Sequence, residues 1–259
     1  MAESPVATLD ATARGALAEL LLSVADDEFV IGFWDSEWTG IAPMLEEDVA
    51  TSSIAQDEIG HAKALYELLA TLTDDDADRI AYGRDADAFR HAALLNHARG
   101  DWAFSVARRY LYETADAVRL VALERSADAS LAALAGKMRR EETYHLLHAD
   151  AWLRRLSEGA PDGRERLAAA VTTLWPDAQE VFAPLAAEEE LVRSGLLATP
   201  MRALHAEWQG RVTPILEPLA PDLPPLAPSI DGRTRRTDDF RWLQSEITTV
   251  YRSEEGALW

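Results

Sequence analysis

The chain contains no cysteine. That excludes disulfides, thiolate metal sites, iron–sulfur clusters and a cysteine nucleophile. Any metal must therefore be held by His, Asp and Glu. Basic residues are scarce: 25 Lys and Arg stand against 45 Asp and Glu, a net charge of −20. Such a chain is a poor partner for a phosphate backbone and is repelled by anionic membrane surfaces. No apolar run approaches the roughly 20 residues that span a bilayer. Met1 to Asp10 shows neither a basic n-region nor an apolar h-region. The expectation is a soluble cytoplasmic protein with no nucleic-acid or membrane partner. Glycine (13) and proline (12) are also few, and the 48% of apolar residues among 259 can bury a sizeable core.

With Ala and Leu dominant and no long alternation of β-branched residues, the pattern favours helix over strand. A first helix is expected over about Leu9–Asp35, with Ala13, Leu17, Leu20, Leu21, Val24 and Ile31 on its apolar stripe. Gly40-Ile41-Ala42-Pro43 reads as a turn. A second helix follows over about Met44–Leu72. A short helix is expected around Phe89–Leu95. Long helices are then expected at about Asp101–Glu124 and Ala129–Ser157, with Asp101 as a plausible N-cap. Further helices are expected over about Gly163–Leu174, Asp177–Ser194, Pro200–Glu217 and Asp239–Tyr251. The proline-rich stretch 218–228 cannot form a regular helix; it is expected to run outside the bundle and present the last helix to a partner. The fold class is thus all-α: an antiparallel four-helix bundle over about 9–158, with additional C-terminal helices over about 163–252. Residues 1–259 form one domain in this reading.

The informative residues are polar ones where apolar ones belong. Glu28 continues the stripe of Leu21 and Val24. Glu58 and His61 lie between Ile54 and Leu65. Glu113 lies between Tyr110 and Ala117, and Glu142 and His145 between Met138 and Ala149. Each is four or seven residues from apolar neighbours, so each points inward. Burying an uncompensated carboxylate costs several kcal/mol, roughly, and four Glu in one core repel one another. Metal ions remove that cost. Glu-x-x-His places two ligands one turn apart on one helix face. With 23 Glu and six His in the chain, chance supplies about half of one such match, and two occur. The halves also repeat: Glu28 and Glu113 lie 85 residues apart, Glu58 and Glu142 84, His61 and His145 84. One Glu from each of two helices and Glu-x-x-His from each of two others is the ligand set of ferritin-like di-metal bundles. These oxygen and nitrogen donors suit two iron ions, or manganese. Asp57 and Glu141, each directly before a ligand Glu, are candidates to orient the ligating His, or are exposed acids on the helix flank. His91, His97, His148 and His205 lack the spacing and read as core or surface residues. Arg108 and Arg109, like Arg139–Arg140 and Arg154–Arg155, read first as partners in intrahelical ion pairs.

Several longer motifs carry a resemblance. They are Glu37-Trp38-Thr39-Gly40-Ile41-Ala42-Pro43, then Ile54-Ala55-Gln56-Asp57-Glu58-Ile59-Gly60-His61-Ala62. Gly100-Asp101-Trp102-Ala103, Ala107-Arg108-Arg109-Tyr110 and Glu141-Glu142-Thr143-Tyr144-His145 continue the series, as do Trp152-Leu153-Arg154-Arg155-Leu156 and Leu174-Trp175. Over nearly its whole length the chain is similar to the PaaC family, the C-type component of phenylacetyl-CoA epoxidase in phenylacetic acid degradation. The resemblance implies a ferritin-like fold and a place in a multicomponent di-iron monooxygenase. That enzyme epoxidises the ring of phenylacetyl-CoA with O₂ and reducing equivalents. The implied partners are an aromatic acyl-CoA substrate, a reductase and a catalytic A-type subunit, with a homo- or heterodimer expected. The C-type component of that system is usually structural, with an incomplete ligand set. This sequence departs from it, because Glu28, Glu58, His61, Glu113, Glu142 and His145 all stand at the ligand positions of the catalytic relatives. Three readings follow: an epoxidase component with its own di-metal centre, a structural partner of an A-type subunit, or a stand-alone ferritin-like oxidase or metal-handling protein. In the first, an arene pocket lies beside the ligands, and Val30, Phe33, Tyr110 and Tyr144 exclude water.

Overall fold

A computed structural model describes residues 9–254. Most of the Met1–Asp10 stretch read for a signal segment lies outside them. Every regular element among the described residues is helical. The long helices are α1 (Ala11–Ser36), α2 (Leu45–Thr73), α4 (Trp102–Leu123) and α5 (Ala129–Ser157). Between them lies the one-and-a-half-turn α3 (Ala77–Tyr82), and after them α6 (Pro161–Ala178), α7 (Glu188–Arg193), α8 (Met201–Leu216) and α9 (Asp238–Ser253).

Side-chain caps set most of the starts. Asp10, Asp76, Asp101 and Asp128 each accept from the backbone N–H three residues on, as does Thr237 at α9. Such a cap satisfies a donor that the first helical turn leaves free. Pro161 opens α6, where its missing N–H costs nothing.

α1 and α2 run antiparallel, as do α4 and α5, and the two pairs pack into the bundle. This is the ferritin-like architecture. Gly32 sets the closest approach of the first pair. A Cβ there would lie 2.9 Å from Ile59, 3.0 Å from the Glu58 Cβ and 3.1 Å from the Ala55 carbonyl. Glycine thus lets α1 press against the turn of α2 that carries Glu58. α6 and α8 pack on α4, while α7 packs on α1. Residues 23–32 of α1 are buried without interruption, so this helix is enclosed on all sides rather than on one stripe.

The observed elements depart from the expected ones in three places. The helix expected at Phe89–Leu95 is instead extended backbone between two 3₁₀ turns, Ala86–Ala88 and Ala93–Asn96. The N–H groups of Arg90 and Ala92 are drawn to the carboxylates of Asp26 and Asp27 on α1, an alternative to helical hydrogen bonding. The helix expected at Asp177–Ser194 is broken. α6 continues through Pro176 to Ala178, a 3₁₀ turn covers Gln179–Phe182, and Pro184 separates it from α7. α3 was not expected at all and caps itself with Asp76 in an acidic stretch that reads as a break.

The proline-rich segment does run along the outside. The Trp175 indole donates to the Pro224 carbonyl and Gln209 to that of Leu226. α9 then turns back onto its own chain, burying Phe240, Leu243 and Thr248. Trp242 stacks on Trp34, although it stays half exposed.

Candidate metal centre

Six side chains from four helices meet at the centre of the bundle. α1 brings Glu28, α2 brings Glu58 and His61, α4 brings Glu113, and α5 brings Glu142 and His145; none is more than 3% exposed. They divide into two groups able to grip one ion each: Glu28, Glu58, His61 and Glu142, and Glu58, Glu113, Glu142 and His145. Within each group the ligand atoms lie within 4.8 Å of one another. Glu58 and Glu142 belong to both groups and stand where bridging carboxylates would. His61 Nδ1 lies 3.3 Å from Glu28 Oε2 and 3.2 Å from Glu142 Oε1. His145 Nδ1 lies 3.4 Å from Glu58 Oε1 and 3.2 Å from Glu142 Oε1.

The outer nitrogens explain how the inner ones are aimed. His61 Nε2 is 2.8 Å from Glu141 Oε2, and His145 Nε2 is 3.3 Å from Asp57 Oδ2. A carboxylate on the outer nitrogen fixes the Nε2–H tautomer and leaves the Nδ1 lone pair facing inward. The two contacts cross, because each acid orients the histidine of the other half. Glu28 is held from behind: Tyr112 donates to its Oε1 at 2.6 Å.

The interior has polar atoms with nothing to bind. Glu58 Oε2, Glu113 Oε2, both oxygens of Glu142 and His145 Nδ1 are buried without a hydrogen-bond partner. Orphaned buried groups of this kind are costly and uncommon. A pair of divalent cations satisfies all five, so the residues fit the di-metal group implied by their spacing. The protonation of the cluster points the same way. Burial, then the charges of Glu142, Glu28 and Glu113, push the Glu58 carboxyl well above the ordinary range. Burial and Glu142 do the same to Glu113, against the pull of Arg109. Burial disfavours the charged form of Glu142, but the His145 and His61 imidazoles, each with Nδ1 3.2 Å from Oε1, outweigh it and hold that carboxyl low. Burial lowers His61 and His145 as well, yet the surrounding glutamates win and raise both. Without metal the cluster therefore retains protons that a bound cation would displace.

Arg109 is the residue that the sequence reading undervalued. It makes the expected intrahelical pair with Glu113, one turn away, at 2.5 Å. It also reaches Glu58 on α2 at 2.5 Å and pairs with Asp35 on α1. Arg108, fully buried, caps the carbonyls of His97 and Ala98 instead of an acid on its own helix. Arg139 likewise pairs across to Glu124, and Arg155 lies over the Trp152 ring. A second buried network was also missed: Asp27 binds Arg119, Arg233 and the Ala92 N–H, and Asp26 binds Arg84, the Tyr66 hydroxyl and the Arg90 N–H. Burial raises the Asp27 pKa, but Arg233 and Arg119 outweigh it and hold the carboxyl below its usual value. The remaining histidines have partners outside the cluster. His91 bonds Asn96, His97 bonds Asp177, His148 bonds Glu47 and His205 bonds Gln179.

Of the side chains expected to keep water out, Val30 and Tyr110 are buried, Phe33 is half-buried and Tyr144 is 54% exposed. Tyr144 follows Thr143 onto the outer face of α5, so it shields nothing. The cavity at the Arg109 side of the cluster, between Asp35, Thr51, His148 and Trp152, measures about 20 Å³. That holds one water and is too small for an aromatic ring.

A family profile described as phenylacetic acid catabolic protein matches residues 1–259. The chain belongs to that family. It is 30% identical to the C component of the 1,2-phenylacetyl-CoA epoxidase of Escherichia coli strain K12 over 197 residues, 76% of this chain and 79% of the relative. It is 26% identical to the A component of the same enzyme over 163 residues, 62% of this chain and 52% of that relative. Family members of both kinds thus align with a chain whose core holds the whole six-residue cluster.

Proposed function

We propose that this chain is a cytoplasmic, single-domain, PaaC-like component of a phenylacetyl-CoA epoxidase that binds two iron ions through Glu28, Glu58, His61, Glu113, Glu142 and His145. The observation that carries the reading is the convergence of all six side chains with five orphaned polar atoms among them, in a chain of this family. When bound, an iron pair supplies the electrons that activate O₂ for attack on an aromatic ring. The chain's own part is to hold and shield. Glu58 and Glu142 span both positions, Glu141 and Asp57 keep the imidazole lone pairs aimed inward, and Tyr112 holds Glu28. Four carboxylates balance the charge of two divalent ions. Val30 and Tyr110 close the surroundings against water.

The expected partner is an A-type subunit, with a separate reductase supplying electrons. Leu45, Val49, Tyr144 and Leu147 support a partner surface: they are large, exposed and carried by α2 and α5, the two helices with the Glu-x-x-His motifs. Among the described residues no helix is long and apolar enough to cross a membrane.

A second reading has one observation in its favour. The one-water cavity beside the cluster offers no room for an arene, which favours a metal-bearing structural partner whose A-type subunit performs the epoxidation. One experiment separates the two. Iron content and O₂-dependent turnover of phenylacetyl-CoA are measured for wild type and Glu58→Ala, each with reductase and the A-type partner. The catalytic reading expects about two irons per chain and a loss of turnover with the loss of metal. Turnover that survives Glu58→Ala assigns the structural role, and a wild type without metal removes the centre altogether.

A further inference from the structure

The two ion positions have the same ligand types and unequal surroundings. Arg109 Nη2 lies 2.5 Å from Glu58 Oε1 and 2.5 Å from Glu113 Oε1. Glu58 Oε1 faces the position of Glu113 and His145, since His145 Nδ1 lies 3.4 Å from it, and Glu113 is itself a member of that position. The guanidinium is buried at this point, so no solvent screens it. The other position has no such competitor. It shares Glu58, but through Oε2, 3.8 Å from His61 Nδ1, which Arg109 does not hold; at Glu28, Arg119 lies 3.6 Å from Oε1, the oxygen turned away from the cluster, while Oε2 faces His61 at 3.3 Å. The repeat makes the contrast explicit. Arg109 stands four residues before Glu113, and the residue four before Glu28 is Val24, buried and apolar.

Resting on the reading of the cluster as a di-metal centre, we propose that Arg109 makes loading sequential. The first ion takes the Glu28–Glu58–His61–Glu142 position. The second enters between Glu113 and His145 only as the guanidinium gives up Glu58 and Glu113. Asp35 is where the arginine falls back, because it already pairs with the other terminal nitrogen. A guanidinium forks between two acceptors in a fixed plane, so it can leave one pair of oxygens and keep the other. Arg109 is in this sense a positioning residue: it sets the order and spacing of the two binding steps and takes no part in the ligand set.

The test uses the full chain, stripped of metal with chelator and titrated with Mn(II). Binding is followed by calorimetry, and electron paramagnetic resonance separates isolated from spin-coupled ions. Wild type is expected to take one equivalent as an isolated ion and the second about tenfold or more weakly. The variant Asp35→Asn/Arg109→Met removes both members of that pair, so neither is left buried without the other. It is expected to close most of that gap and to show coupled ions from the first additions. Arg109→Lys keeps the charge without the fork and is expected to fall between the two, which preserves the test should the double variant fold poorly. A gap of the same size in wild type and both variants overturns the proposal, as does pairwise loading of wild type from the first equivalent. Wild type that binds no manganese overturns the metal-centre reading, and the order of loading falls with it.

Discussion

The α1–α2 and α4–α5 pairs carry the same ligand register, yet the charges around it have opposite sign. α1 buries Asp26, Asp27 and Asp35 besides Glu28, while α4 buries Arg108, Arg109 and Arg119 besides Glu113 and a single further acid, Asp116. The acids of the first half are answered by bases of the second and of the C-terminal segment: Asp35 by Arg109, and Asp27 by Arg119 and Arg233. Neither half is electrically complete. What the two halves share is what an ion pair between them demands, and what they do not share is what fastens them together.

The strongest way to break the comparison is through the two glutamates that belong to both ion positions. Glu58→Ala or Glu142→Ala should empty both, whereas Glu28→Ala should spare the Glu113–His145 position. Metal analysis by mass spectrometry reads the difference. Far-ultraviolet circular dichroism should stay close to wild type, because losing one acid also relieves repulsion within the cluster.

The dependence of the first half on its distant counter-charges comes next. Arg233→Met leaves Asp27 with Arg119 alone and should cost about 3 kcal/mol, at the lower end for a broken buried pair. Asp27→Asn/Arg233→Met should cost less than the single change. Urea denaturation of both variants checks the order.

The crossed contacts sharpen the picture further. Glu141→Gln lies on α5 but should weaken the ion held by His61, and Asp57→Asn lies on α2 but should weaken the ion held by His145. Each effect is expected at about 10–100-fold in affinity. Site-resolved titration that shows each change acting on its own half would contradict the crossing.

These outer acids show how far the sequence could be read. Their place directly before each ligand Glu made them candidates, and the helical register alone brought the six inner side chains to one level. The long helices were legible for the same reason: α5 spans Ala129–Ser157, the range its stripe implies. Legibility stopped where distant parts of the chain decide the conformation. Arg90 and Ala92 follow the acids of α1 and abandon the helix that their local pattern supports. Arg109 could be paired with Glu113 from spacing, but its reach to Glu58 and Asp35 depends on where α1 and α2 come to rest. The small size of the cavity beside Arg109 is equally a property of packed side chains and not of any motif.

The smallest effect concerns His91, where acid titration distinguishes the outer layer from the cluster. Burial lowers its pKa well below 6.5, and Arg236 adds to the shift. The unfolded chain therefore binds a proton before the folded one does as pH falls. Stability from this group is complete above about pH 6.5 and is lost as the pH drops toward the folded pKa, at up to about 1.4 kcal/mol per pH unit. His91→Gln should remove one proton from that slope, as measured by denaturation at pH 5 to 7, without changing metal content.

Arg233 also places a clock on the birth of the molecule. It closes on an aspartate 206 residues earlier in the chain. At about 5–20 residues per second, a ribosome needs roughly 10–40 s between making the acid and making its clasp. During that interval Asp27 can already meet the Ala92 N–H and Arg119, made 65 and 92 residues after it, but its second guanidinium is still to come. The last clasp on the earliest helix is thus made by one of the latest segments, and translation must pass residue 233 before the charge balance around Asp27 is complete.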